Sequence, residues 1–177
     1  MMIQDTPEDS ARPLRTGSWF ANRDAARRAL GRALPGIEAQ VADRHVCGSG
    51  FLYIVIMDPA MPAGTSGFDD AVLLEHAIGD PACWDADYAA FARAKAKLSW
   101  TFGLDGHFMQ THRAHLLREG DTMLWGSVCL DGFVVGVSGA HPWYDEAFAT
   151  GVAAYFRAEV KAMAAGAAAR NTPFAGS

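Results

Sequence analysis

His112, His115 and Glu119 fall at steps of three and four residues along a stretch with helical character, so two imidazoles and a carboxylate would share one helix face. That set offers three donors to a divalent metal ion. The same spacing also describes an ordinary amphipathic helix with a half-exposed face. Lys95 is the second candidate. It sits in phase with Trp84, Tyr88, Phe91, Leu98 and Phe102, on the apolar side of an expected helix. An amine desolvated there has a lowered pKa and can act as a nucleophile or an anion anchor. The competing reading runs its stem along the core and leaves the ammonium in water.

Carboxylates give a third possibility. Asp58 ends an apolar run, and Asp145 and Glu146 stand together at an expected helix start, a placement that suits general acid/base work. Asp58 also suits a turn, and the acidic pair also complements a helix dipole; these structural roles are preferred. Ser138 lies in GVSGA, which lacks the Gly-x-Ser-x-Gly elbow of a hydrolase nucleophile. Gly48-Ser49-Gly50 precedes a strand and opens no helix, so it is no dinucleotide fingerprint.

The elements that must position these groups follow from periodicity. Phe20, Ala26, Leu30, Ala33, Leu34, Ile37 and Val41 define an amphipathic helix within Trp19 to His45, broken or kinked near Pro35-Gly36. GFLYIVIMD is apolar almost throughout and rich in β-branched residues, as in a strand covered on both faces. A long polar loop then leads to a returning strand in AVLLEHAIG. A second helix is predicted from Trp84 to Phe102 and a shorter one from Phe108 to Arg118. MLWGSVCL and FVVGVSG form a hairpin about Asp131-Gly132, and a last helix opens at Pro142. Consecutive strands in hairpins give an α/β (α+β) fold, a mainly antiparallel sheet with helices packed on it.

The chain has 177 residues, half of them apolar, enough for one core. Composition predicts a folded domain over residues 18–163 between flexible tails at 1–17 and 164–177. A net charge of −5, with basic residues scattered, argues against nucleic acid as a partner. No stretch is apolar enough to span a membrane, and the acidic, polar start is unlike a secretory signal. Cys47, Cys83 and Cys129 are odd in number and widely spaced, which predicts buried, reduced thiols and a cytoplasmic location.

GVSGAHPWYDEAFATGVAAYF resembles the final strand and helix of the GlcG/HbpS-like family, through Val137, Ser138, Gly139, Asp145 and Glu146. YIVIMD is similar to that family's first strand. HAIGDPACWDADYAAFARAKAKLSWTFG resembles the middle of its haem-degrading-domain-like branch, through Arg93, Lys95, Phe102 and Gly103. The resemblance covers about residues 20–160 and implies a profilin-like sandwich, assembly into homo-oligomers, and haem or a related small molecule as ligand. Pro59, the loop from Pro59 to Asp70 and the pair Trp143-Tyr144 depart from the family pattern.

Haem iron needs an axial side chain in an apolar pocket, with cations near its carboxylates. His141 is the first choice of axial ligand because it falls in the best-matched segment, with helix capping as its competing role. His107 and His112 are alternatives, and Arg93, Lys95, Lys97 and Arg113 are the candidate carboxylate partners. Trp143 and Tyr144 suit a ligand lid or a subunit contact. Without Cys-x-x-Cys-His, covalent c-type attachment is excluded. The expected ligand position is between the second helix and the hairpin. The alternatives are an enzyme of small-molecule catabolism using Lys95 or the His112/His115 metal site, and a non-catalytic structural or adaptor module.

Overall fold

The computed structural model describes residues 17–169. Its elements are α1 (Arg23–Val41), β1 (Leu52–Met57), a one-turn α2 (Phe68–Ala71), β2 (Val72–Ile78), α3 (Tyr88–Phe102), α4 (Gly106–His112), β3 (Ser127–Leu130), β4 (Phe133–Ser138) and α5 (Pro142–Ala169). The four strands form one sheet in the order β2-β1-β4-β3, antiparallel at every pairing. The mixed α/β, antiparallel architecture expected from the hairpin pattern is therefore present.

β1 lies inside the sheet with helices over both faces, which explains its unbroken apolar run. Leu52, Ile54 and Ile56 join Val135 and Val137 beneath α1 and α5. Val55, Met57 and Val134 face the other way, against Ala92 and Ala96 of α3. Side chains alternate across a strand, so each residue type in this run serves one layer or the other. The β3–β4 hairpin turns at Asp131 and Gly132, with φ of 53° and 87°; two successive positive φ values match the right-handed twist of the flanking strands.

Local chemistry sets the helix boundaries. Asn22 accepts a hydrogen bond from Ala25 N at 3.0 Å, starting α1. Of the break or kink expected near Pro35-Gly36, the break does not occur: α1 is a single helix through Pro35, because Leu30, Ala33, Ile37 and Val41 continue one buried stripe across it. α3 starts at Tyr88, later than expected, since Asp87 caps it by accepting from Ala90 N at 2.8 Å. Trp84 instead closes a short 3-10 turn and packs edge-on to Tyr53 and Tyr88. α5 passes the expected boundary at Met163 and runs to Ala169. Residues 1–16 and 170–177, most of the two predicted tails, lie outside the described residues.

Candidate functional site

Three segments meet where β4 ends and α5 begins. Lys95 reaches from α3 into the interior, only 3% exposed, and donates to Asp145 Oδ2 at 2.7 Å, Val137 O at 3.0 Å and Ser138 Oγ at 3.2 Å. The other Asp145 oxygen accepts from Ala140 N at 2.9 Å. Burial lowers the Lys95 pKa, opposed by the Asp145 charge. The same burial pushes the Asp145 carboxyl up to about 6, against the pull of Lys95. Gly126 closes the space beside the pair. Its φ is 118°, and a Cβ there would lie 2.6 Å from Asp145 Cβ and 3.1 Å from Lys95 Nζ.

This geometry corrects two expectations for Lys95. It does not run its ammonium out to water. Nor is it an available nucleophile: three acceptors take its three protons, and the charge is bound to a carboxylate. The expected ligand space between α3 and the hairpin is closed along the middle of the helix. A Cβ on Gly136 would stand 2.6 Å from Ala92 O and 2.7 Å from Ala96 N, so helix and sheet are in backbone contact there. What remains is a hollow of about 180 Å³ at the C-terminal end of α3, lined among others by Met57, Met61, Trp100, Gly103, Cys129 and Val134.

Arg93 lies apart from the histidines. It pairs with Glu75 at 2.6 Å and with Asp69, and its guanidinium lies over the Phe68 ring at 5.3 Å. Tyr144 lies between the hollow and the core, its ring 6.5 Å from that of Trp143 and stacked on buried Phe148 at 6.4 Å. His141, Trp143 and His107 gather at one end of the molecule. There Met123, Leu124, Trp125, Pro142 and Trp143 line an apolar hollow of about 290 Å³. The His107 ring stacks on Trp125 at 3.8 Å and the His141 ring on Trp143 at 5.2 Å. Each indole of the hollow thus carries an imidazole. Glu146 Oε2 is buried, without a hydrogen-bond partner among the described residues, and lies 3.6 Å from His107 Nδ1.

The predicted metal face does not form. α4 ends at His112, and residues 114–116 make a 3-10 turn, so His115 and Glu119 are not in helical register with His112. His112 contacts Thr111 Oγ1 at 2.7 Å and stacks on Phe108. Among the described residues no three His, Cys, Asp or Glu side chains are grouped to hold a metal. Asp58 has the structural role preferred for it, accepting from Ala60 N at 2.8 Å in the turn after β1. The cysteines are unpaired, but only Cys47 is buried; Cys83 is exposed and Cys129 half-buried.

Sequence reasoning missed Met123, Leu124 and Trp125 as lining residues, because MLWGSVCL reads as one continuous strand. The strand begins only at Ser127. Gly126 was the available signal: a glycine inside a strand pattern marks a bend or a close approach. Comparison of the chain with protein-family models, curated proteins and solved structures finds no match. No helix among the described residues is long and apolar enough to cross a membrane.

Proposed function

We propose that this protein is a homo-oligomeric small-ligand-binding protein that takes a flat, largely apolar ligand, haem foremost, at the hollow between Trp125 and Trp143. One observation carries the reading: two indoles at an open apolar hollow, each with an imidazole stacked on it. Apolar walls with a few convergent polar groups are the usual make-up of a small-molecule site. The resemblance to the GlcG/HbpS-like family supports the choice of haem.

The residues fit an edge-held macrocycle. His141, exposed and stacked on Trp143 beside the hollow, would supply the axial imidazole, with His107 as the alternative. The hollow stands at the lower end of the volume range for ligand pockets, so part of the ring would project beyond it. Arg93 and Lys95 have no part in this site, since each is bound to carboxylates elsewhere. The catalytic alternative gains nothing from Lys95, whose protons are all engaged. Titration with hemin tests the proposal. A saturable Soret shift, weakened by His141→Ala and by Trp143→Ala, is expected; absence of saturable binding overturns it.

A further inference from the structure

Strand β2 is an open edge of the sheet, and the phase of its hydrogen bonds can be worked out. Val137 N donates to Gly126 O at 2.7 Å, so Val137, and with it Val135 and Phe133, turns its peptide groups toward β3. Gly136 and Ser138 then bond toward β1, opposite Val55 and Tyr53. By alternation Ile54 and Leu52 bond toward β2, opposite His76 and Ile78. The N–H and C=O groups of Glu75 and Ala77 are left pointing away from the sheet.

Among the described residues these groups have no backbone hydrogen-bond partner. β2 is seven residues long, contains neither Lys nor Pro, and is half-buried along its whole length. It lacks the lysines and prolines that usually keep such an edge from pairing, and its one carboxylate, Glu75, is engaged by Arg93. The opposite edge, β3, has four residues and is flanked by the Arg157–Asp131 ion pair.

The geometry points to β2 pairing antiparallel with β2 of a second copy of this chain, about a two-fold axis through His76. A two-fold normal to the sheet preserves its faces, so it must pass through a residue pair, and Glu75 or His76 is the central choice. Centring on Glu75 would set two carboxylates directly opposite each other, which is unfavourable. With His76 on the axis, Glu75 faces Ala77 of the other copy and keeps Arg93 as its partner. Leu74 then faces Ile78. Both are half-buried residues at the margin of the larger core cluster, and the pairing covers them. The outward groups of Glu75 and Ala77 on each copy are satisfied together, and two four-stranded sheets become one of eight. This pairing rests on β2 and is independent of the hollow.

Cysteine crosslinking and mass measurement test it. In a Cys83→Ser background, which removes the exposed native thiol, His76→Cys should oxidise to a disulfide-linked dimer. Opposed residues of a non-hydrogen-bonded pair have Cα atoms about 4.5 Å apart, within disulfide reach. Glu75→Cys in that background should not crosslink, because the two positions are then diagonal. Ala77→Pro removes an outward N–H and should halve the mass seen by light scattering while leaving the circular dichroism and hemin titration unchanged. A monomeric wild-type protein at tens of micromolar, crosslinking at 75 and not at 76, or an Ala77→Pro variant of undiminished mass overturns the proposal.

Discussion

Lys95 of α3 and Asp145 in the first turn of α5 meet at 2.7 Å across the end of β4, with less than a twentieth of either residue exposed. The contact fastens both helical layers to one strand. Removing one partner strands the other charge in the interior, a loss of about 3–5 kcal/mol, whereas replacing both with apolar groups of similar volume is often neutral. Lys95→Met and Asp145→Asn should each lower the unfolding free energy by about that much, and Lys95→Met/Asp145→Leu should recover most of it. Denaturant unfolding of the three variants and the wild type closes the cycle.

Asp145 also makes a pH prediction that runs opposite to that of a surface ion pair. Its carboxyl stands at about 6 in the folded protein against an ordinary 3.8, because burial outweighs the pull of Lys95. The folded state therefore binds this proton more readily than the unfolded one. The contribution of Asp145 grows as the pH falls from about 6 toward 4, and shrinks as it rises. The stability gap between wild type and Asp145→Asn should be wider at pH 4.5 than at pH 7. A gap that narrows on acidification would show a carboxyl held below its ordinary value instead.

The glycines make a paired prediction about packing. Gly136 sits where α3 touches the sheet, with Ala92 O and Ala96 N under 3 Å from any added Cβ. Gly136→Ala must push α3 outward, at about 1–3 kcal/mol of overpacking strain. Gly151, within α5, has nothing within 4 Å of its Cβ position. There alanine should stabilise by about 0.5–1 kcal/mol, through helix propensity and a less free unfolded chain. Thermal melts of the two variants should move in opposite directions.

Periodicity revealed the strands and the longer helices because each buries a regular stripe; β1, apolar on both faces, could only be a covered strand. The hairpin was legible in Asp131-Gly132 for the same local reason. Three dispositions were not. The metal face failed because Ala114–Leu116 tighten into a 3-10 turn, a change of pitch that apolar spacing does not record. Lys95 showed its apolar phase but not its partner, since Asp145 is 50 residues away in the chain. Trp125 joined the hollow because the chain bends at Gly126 before entering β3, and the run around it reads as strand throughout.

The hollow itself separates binding from stability. Met123, Leu124 and Trp143 are among the most exposed large apolar side chains of the described residues, at 65%, 44% and 59%. Side chains so open contribute little to the fold, so Leu124→Ser and Trp143→Ala should change unfolding free energy by no more than about 0.5 kcal/mol. A protein gains nothing in stability by gathering such groups at one end, and contiguous exposed apolar surface marks a binding region. Both variants should therefore weaken hemin binding at least tenfold, a loss of about 1.4 kcal/mol, while melting with the wild type. Measuring both quantities on the same preparations decides the matter: variants that melt normally and still bind hemin like the wild type would remove the hollow from the ligand site.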